Sequence, residues 1–218
     1  MANLKKRIAF YGGSFDPVHL GHTTIGEKLL EQFSLDAFVY IPAFHAPHKP
    51  DRKPTSGYHR YAMLCLATSG DPRLEVSTIE LELPEKPYTV ETLPRLQAMF
   101  PDADIFFVMG ADSWEDILTW REWKTVLTMT NHIVVTRPGH TIKFDHVSDA
   151  VRGRISDLRD DTSLVEPSDE QRIYISDAVN LNLSATELRR QVRFGESGWH
   201  RDVPKEVAKY IQKYEIYK

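Results

Sequence analysis

The sequence has one cysteine, no long apolar run and no excess of positive charge. Cys65 alone cannot form an internal disulfide, and its setting in YAMLCLA predicts a small buried hydrophobe. No run approaches the roughly 18 apolar residues of a membrane span, and the apolar residues before Gly12 are too few for a signal sequence. With 27 basic and 31 acidic residues, the net charge of −4 gives no general attraction to nucleic acid or anionic membrane. These absences predict a cytoplasmic protein without nucleic-acid or membrane partners.

Two common phosphate-binding patterns are also missing from the glycine-containing stretch FYGGSFDPVHLGH at residues 10–22. No lysine follows the glycines as in GxxxxGK[ST], and their spacing is not GxGxxG. Instead, Gly12 and Gly13 allow backbone N–H groups to approach an anion, while His19 and His22 share one side of the following helical turn. Two imidazoles beside such a loop predict binding and polarisation of phosphate oxygens. A zinc-binding pair, and histidines that only cap or pack, remain alternatives.

Apolar strands alternate with amphipathic helices along the chain. Strands are predicted at 7–11, 37–42, 74–83, 105–110, 132–136 and 172–176. Helices are predicted at 20–33, 59–70, 91–100 with Pro94 in the first turn, 184–195 and 204–214, with helix-like segments from 112 to 129 and a solvated helix and loop over 140–171. Strands that are apolar throughout need cover on both faces. The pattern therefore predicts a doubly wound, Rossmann-like α/β fold, with helices on both faces and a small C-terminal helical segment, in a single domain over 1–218.

A second candidate phosphate site begins at SATELRR, residues 184–190. Ser184 and Glu187 have the spacing of a capping box, so a well-capped helix start is one interpretation. A helix start also attracts anions, and Thr186 and Arg189 supply a hydroxyl and a guanidinium for a phosphate. The two interpretations are compatible.

GGSFDPVHLGH and SATELRR together resemble the signature pair of the nucleotidyltransferase superfamily with the HxGH motif. The stretches PAFHAPHK, PYTVETL, FFVMGADS, TWREW and VVTRPG, in that order, make the resemblance specific to the bacterial nicotinate-nucleotide adenylyltransferases over nearly the whole chain. Phosphopantetheine adenylyltransferases share the HxGH loop but lack PYT and ADS…W as a set, and cytidylyltransferases fit these stretches worse.

The resemblance implies transfer of AMP from ATP to nicotinate mononucleotide, which yields deamido-NAD and pyrophosphate. The acceptor phosphate attacks in line without a covalent enzyme intermediate, and Mg²⁺ is bound with the ATP phosphates.

The resemblance also implies roles for individual residues. His19 and His22 match the catalytic histidines on the ATP phosphates. The other positions that match ATP-binding residues are Gly12, Gly13, Ser14, Phe15, Gly110, Asp112, Ser184, Thr186 and Arg189. Ala185 stands where many relatives carry a second serine. Asp112 could instead be an ordinary helix N-cap.

The positions that match the acceptor site are Lys49, Thr89, Trp120, Arg121 and Arg137. Lys49 resembles a residue that binds phosphate, and backbone amides near Thr89 and Arg121 are implied to receive the pyridine carboxylate while Trp120 stacks on the ring. Without the resemblance, Trp120 is read as core, Arg137 as a solvated charge after a strand, and His45 and His48 as part of a solvated loop.

Three rival functions remain at this level. Nicotinamide mononucleotide differs from the acid by one charged group and could be the preferred acceptor. A nucleotide-binding regulator without turnover would not need His19, His22, Lys49 and Arg189 together. A fragment of an aminoacyl-tRNA synthetase would require a basic surface that this chain lacks. The sequence is compatible with a homo-oligomer but does not require one.

Overall fold

The computed structural model describes residues 5–44, 55–83, 87–136, 141–159, 161, 163–168, 170–177, 181 and 183–218. The strands in these ranges are β1 (Lys6–Gly13), β2 (Ala37–Pro42), β3 (Leu74–Val76), β4 (Ala103–Gly110), β5 (Asn131–Val135), β6 (Ile155–Asp157) and β7 (Ile173–Ser176). The α-helices are α1 (Leu20–Gln32), α2 (Gly57–Thr68), α3 (Thr89–Met99), α4 (Ala111–Glu115), α5 (Trp123–Met129), α6 (Asp149–Arg152), α7 (Ala185–Arg193) and α8 (Lys205–Lys213). In this part of the chain, no helix is both long enough and apolar enough to cross a membrane.

The strands form one sheet in the order β3-β2-β1-β4-β5-β7-β6, and each neighbouring pair is parallel. Parallel neighbours require crossover connections, which here are mostly helical and lie on the faces of the sheet. Strand β1 shows the result, because Ala9 and Tyr11 face one core and Ile8 and Phe10 face the other. Helices α1, α2, α7 and α8 cover the first core, and α3 to α6 cover the second. The predicted doubly wound fold is confirmed.

The strand predicted over 74–83 is wrong beyond Val76. Pairing with β2 ends at Tyr40 and Val76, and one further bond joins Ser77 N–H to the Tyr40 carbonyl at 2.9 Å. The chain then turns, and the Glu80 carboxylate accepts a hydrogen bond from Thr92 Oγ1 at 3.1 Å. Alternation of apolar and polar residues predicts a strand when the polar side chains face solvent. Glu80 is instead directed inward, so the alternation here does not indicate a strand.

The described residues between 141 and 171 also differ from the prediction of a solvated helix and loop. Val147 is buried just before a helix of only four residues, α6, and Val151 is buried within it. Gly153 N–H donates to the Asp149 carbonyl at 2.8 Å, where this helix ends. Ile155 then begins the edge strand β6 and pairs with Ile173. The single predicted helix is therefore a short helix followed by a short strand.

Two smaller expectations fail on α2 and α3. Cys65 is half-buried rather than buried. Helix α3 begins at Thr89, two residues earlier than predicted, and Glu91 accepts a hydrogen bond from Tyr88 N–H at 3.0 Å. Pro94 therefore lies in the second turn of the helix, not the first.

The carboxyl ends of β1 and β4 meet in the middle of the sheet. The chain leaves β1 toward β2 on one side and leaves β4 toward β5 on the other. Loops that diverge in this way leave a crevice where open α/β sheets bind ligands. Gly12 and Gly13 end β1, and Gly110 ends β4, so both predicted nucleotide segments border this crevice.

Candidate active site

The loop after β1 is shaped by the ring of Phe15. A Cβ atom on Gly13 would lie 2.8 Å from Phe15 Cζ, so the close packing there requires glycine. A Cβ on Gly12 would be 3.5 Å from Phe107 Cζ, which is ordinary contact. Phe15 itself has φ of 45° and is 2% exposed. Its ring is therefore in the core, and only the backbone of this residue is available to a nucleotide.

The Phe15 ring also supports the second histidine of the motif. It makes edge contacts with the rings of Tyr11, Tyr40 and His22, at centroid distances of 5.3, 5.7 and 5.0 Å. Edge-to-face packing of this kind fixes ring orientation as well as burying apolar area. The aromatic cluster thereby orients His22.

His19 and His22 form a stacked pair at the start of α1. Their ring centroids are 3.7 Å apart, with 24° between the planes. His19 is the N-cap residue, and its backbone N–H donates to His22 Nδ1 at 3.2 Å. Because Nδ1 of His22 accepts this bond, the proton of the neutral ring lies on Nε2. The pair thus presents a defined donor on His22, held by the first turn of the helix.

Helix α7 begins without the capping box predicted for it. In the part of the chain that the structure describes, the Ser184 side chain makes no capping hydrogen bond. Glu187 instead accepts hydrogen bonds from Arg190, at 2.8 Å from Nε and 2.7 Å from Nη2. The arginine three residues further along offers a stronger, charge-assisted partner than the backbone N–H does, so the capping prediction is wrong.

Arg189 connects the two predicted phosphate-binding segments. Its Nη1 donates to the Asp16 carbonyl oxygen at 2.5 Å, and its Nη2 donates to Thr186 Oγ1 at 3.0 Å. The contact with Asp16 joins residues separated by 173 positions in the chain. The structure therefore brings the HxGH loop and the SATELRR segment together, as the sequence predicted.

Gly110 and Asp112 lie on the other side of the crevice. A Cβ on Gly110 would meet nothing within 4 Å, so the backbone there borders open space. Gly110 is the N-cap of α4, and Asp112 is exposed in the first turn of that helix. The alternative role of Asp112 as the N-cap is therefore wrong.

Two of the predicted acceptor segments are also brought together. Arg121 donates from Nη1 to Glu91 Oε1 at 3.2 Å, and its guanidinium lies 4.9 Å from the centre of the Tyr88 ring. These contacts place Arg121 at the start of α3, beside Thr89. Trp120 is half-buried, with its ring edge-on to Phe107 at a centroid distance of 6.4 Å. Lys49 and Arg137, like His45 and His48, lie outside the described residues.

Sequence reasoning missed Arg60. This residue is 1% exposed and donates to the carbonyl oxygens of Ser14, Ala43 and Thr55 at 2.8, 2.7 and 3.0 Å. It therefore ties the loop after β1 to the loop after β2, and burial lowers its pKa. In the sequence it is an ordinary arginine on an amphipathic helix, and nothing in the pattern distinguishes it.

Glu80 was missed as well. Burial raises the pKa of its carboxyl to about 7, although hydrogen bonds from the Thr92 hydroxyl and the Phe44 backbone N–H act in the opposite direction. Thr92 belongs to the first turn of α3, so Glu80 connects the loop after β2 to the start of this helix. Nothing in the sequence indicated that Glu80 is buried, because it lies in a stretch whose alternation predicts a solvent-facing side chain.

In the part of the chain that the structure describes, no three His, Cys, Asp or Glu side chains are grouped so that they could hold a metal ion. The side chains that do converge here are histidine, threonine and arginine. A guanidinium only donates hydrogen bonds, whereas a hydroxyl and a neutral imidazole each donate as well as accept. Such a set suits phosphate oxygens better than a protein-ligated metal.

Comparisons with known proteins agree with this architecture. The model of the cytidylyltransferase-like family matches residues 10–191. The probable nicotinate-nucleotide adenylyltransferase of Corynebacterium jeikeium is 32% identical over 206 residues, covering 94% of this chain and 98% of that protein. A protein of the same name from Thermus thermophilus is 33% identical over 214 residues, covering 97% of this chain and 100% of that protein.

Among solved structures, the Plasmodium falciparum nicotinic acid mononucleotide adenylyltransferase complexed with NaAD shares the fold. Its TM-score is 0.72 at 18% identity, and the match covers 97% of each chain. The family model and the two bacterial relatives each cover most of the sequence. The chain belongs to the nicotinate-nucleotide adenylyltransferases within the cytidylyltransferase-like family.

Proposed function

We propose that this chain transfers AMP from ATP to nicotinate mononucleotide, and so produces deamido-NAD and pyrophosphate. The observation that carries the proposal is the bridge made by Arg189 from the Asp16 carbonyl to Thr186 Oγ1. It joins a histidine-containing loop and a helix start, each suited to phosphate, at one crevice of the sheet. The names of the relatives support nicotinate mononucleotide as the acceptor.

The reaction needs no nucleophile from the protein. A 5′-phosphate oxygen of the mononucleotide attacks the α-phosphorus of ATP, and the bond from that phosphorus to the bridging oxygen of the β-phosphate breaks. Pyrophosphate leaves with the electron pair, and the new phosphoanhydride is that of the dinucleotide. Catalysis then consists of positioning and electrostatic stabilisation.

In this proposal the stacked histidines act on the phosphates of ATP. His22 donates from Nε2 because its Nδ1 is occupied by the His19 backbone N–H. A fixed donor gains strength as negative charge accumulates on the phosphate oxygens in the transition state. His19, only 6% exposed, holds the start of α1 and the stacking geometry, and it is proposed to complete the contact with phosphate.

The β- and γ-phosphates are proposed to bind at the start of α7. In the described part of the chain, the Ser184 side chain makes no capping hydrogen bond to this helix. Thr186 and Arg189 belong to the first two turns of the same helix. Backbone N–H groups at a helix start favour anions. We propose that Gly12, Gly13, Ser14 and Phe15 contribute backbone contacts, and that Gly110 and Asp112 receive the adenosine.

Mg²⁺ is proposed to arrive with ATP, held by the phosphate oxygens and water. This ion is often bound through substrate phosphates with few protein ligands, which suits a site built mainly from hydrogen-bond donors. When bound, it supplies partial neutralisation of the triphosphate charge.

The acceptor side of the proposal rests on the start of α3. Thr89 is the first residue of this helix, and Arg121 is held beside it by Glu91 and Tyr88. Backbone N–H groups and a guanidinium at one place favour a carboxylate over an uncharged amide. Trp120, Lys49 and Arg137 complete the proposed acceptor site. We also propose a cytoplasmic enzyme without a nucleic-acid partner.

Pyrophosphate release with ATP and Mg²⁺ tests the proposal. We expect kcat/KM for nicotinate mononucleotide to exceed that for nicotinamide mononucleotide by about 10², which corresponds to about 2.7 kcal/mol of transition-state discrimination. Equal values would retain adenylyl transfer but reject the acceptor assignment at Thr89 and Arg121. No release with either mononucleotide would reject the proposed function.

A further inference from the structure

Asp16 connects three distant parts of the chain to the loop that carries the histidines. It is 8% exposed and follows Phe15, three residues before His19. Its Oδ1 accepts from the Tyr217 hydroxyl at 2.6 Å, and its Oδ2 accepts from Thr55 N–H at 3.4 Å. With the bond from Arg189 to its carbonyl oxygen, the residue is held from several sides.

Tyr217 is the penultimate residue of the sequence, yet its side chain is anchored 201 positions away. Its φ is 74° and that of Glu215 is 51°. Left-handed backbone is unfavourable for residues with a Cβ atom and persists where surrounding contacts hold it. The buried Ile216 between them, 8% exposed, packs into the same core as α1 and α8. The C-terminal segment is therefore docked against the body of the protein.

The charges around Asp16 favour the arrangement in which Tyr217 donates. Arg60 and Arg189 both lie close enough to act electrostatically on Asp16 or Tyr217. Burial, followed by the negative charge of Asp16, raises the pKa of Tyr217 well above its usual value. The phenol accordingly keeps its proton and donates a hydrogen bond to the Asp16 carboxylate, a type of bond stronger than one between neutral groups.

We propose that Tyr217 is a positioning residue for adenylyl transfer, and that its hydroxyl acts through the Asp16 carboxylate to hold the loop from Phe15 to His19 in its reactive geometry. This inference rests on the proposed function. In this proposal the hydroxyl contacts neither substrate and acts only through its bond to Asp16. Loss of the hydroxyl leaves a nearly buried carboxylate oxygen with one donor fewer. The loop, which must position the groups that bind phosphate to within a fraction of an ångström, then becomes less rigid.

Tyr217→Phe removes only the hydroxyl and retains the ring in its site. Tyr210→Phe is the matched control, since its hydroxyl is also hydrogen bonded, at 2.9 Å to His59 Nδ1, but on the α2–α8 surface and not at the loop. We expect Tyr217→Phe to lower kcat about tenfold with the KM values changed less than about twofold. Tyr210→Phe should retain wild-type kcat.

A double-mutant cycle tests the route through Asp16. Asp16→Asn retains an acceptor oxygen but loses the charge that strengthens the bond from the phenol. If the hydroxyl acts through this carboxylate, adding Tyr217→Phe to Asp16→Asn should lower kcat by much less than tenfold, a non-additive result. Fully additive losses would overturn the proposal.

Hydrogen exchange supplies a readout that does not need turnover. Backbone amides of residues 14–22 should exchange faster in Tyr217→Phe than in the wild type or Tyr210→Phe, because the loop opens locally more often. Unchanged kcat and exchange in Tyr217→Phe would overturn the proposal, as would equal losses of kcat in both tyrosine variants. If the wild type were inactive with both mononucleotides, the proposed function would fail separately, and the exchange comparison would still decide whether Tyr217 holds the loop.

Discussion

Gly12 and Gly13 are neighbours at the end of β1, but their surroundings differ. The Phe15 ring lies against the backbone of Gly13, whereas Gly12 has only ordinary contact with Phe107. A GG pair in a sequence indicates backbone freedom at both positions equally. In the structure, close packing makes glycine necessary at only one of them.

Alanine at these two positions should therefore have different effects. Gly13→Ala places a methyl group 2.8 Å from Phe15 Cζ, and we expect the free energy of unfolding to fall by about 1–3 kcal/mol, as for overpacking elsewhere. Gly12→Ala should change it by less than about 1 kcal/mol. Urea denaturation of the two variants provides the measurement, and equal losses would show that the Phe15 contact is not responsible.

At the scale of elements, the site depends on contacts between segments far apart in the chain. Arg189 on α7 binds the carbonyl of Asp16 in the loop before α1, and Arg60 on α2 binds the carbonyls of Ser14 and Ala43. Buried carbonyl oxygens outside regular structure require donors, and arginine can serve several at once. The helices thereby set the shape of the loops at the carboxyl ends of the strands.

Replacement of Arg189 by lysine tests this linkage. Lysine retains the positive charge but lacks the planar fork that reaches the Asp16 carbonyl and Thr186 Oγ1 together. We expect kcat/KM to fall about 10- to 100-fold, with a raised KM for ATP. Arg190→Lys is the control, because Arg190 is exposed and paired with Glu187 and Glu196. Comparable losses in both variants would contradict a specific role for Arg189 and indicate general destabilisation of α7.

At the scale of the whole molecule, Glu80 links stability to pH. Its carboxyl has a pKa of about 7 in the folded protein, against an ordinary value of 4.5. Between these values the folded state binds a proton that the unfolded state has lost. The contribution of Glu80 to the free energy of unfolding is therefore fully present below pH 4.5, its ordinary pKa, and it declines as the pH rises toward about 7.

Glu80→Gln should remove the part of the pH dependence of stability that is due to Glu80. The uncharged amide resembles the protonated carboxyl, so the free energy of unfolding of the variant relative to wild type should increase between pH 4.5 and pH 7. We expect a change of up to about 3 kcal/mol. Denaturant unfolding over this range measures it, with the exposed neighbour Glu82→Gln as control. Parallel curves for wild type and Glu80→Gln would contradict the assignment.

The sequence by itself determined the doubly wound fold and the order of most of its elements, and it located the HxGH and SATELRR segments that meet beside the crevice. Apolar strands and amphipathic helices follow local periodicity, and the two segments proposed to bind phosphate are each contiguous in the sequence. The errors arose where local pattern and tertiary contact disagree. Val76 ends a strand that the alternation extended, and Glu187 pairs with Arg190 where the spacing indicated a capping box.

Only the tertiary structure decided which distant residues support the site. Arg60, Glu80 and Tyr217 carry no distinctive pattern, and their importance comes from burial beside particular carbonyl, hydroxyl and carboxylate groups. Ser14, Thr92 and Asp16, which are among those partners, lie 46, 12 and 201 positions away in the chain. Periodicity reports which face of an element is apolar, whereas the partner of a buried polar group is set by how the elements pack.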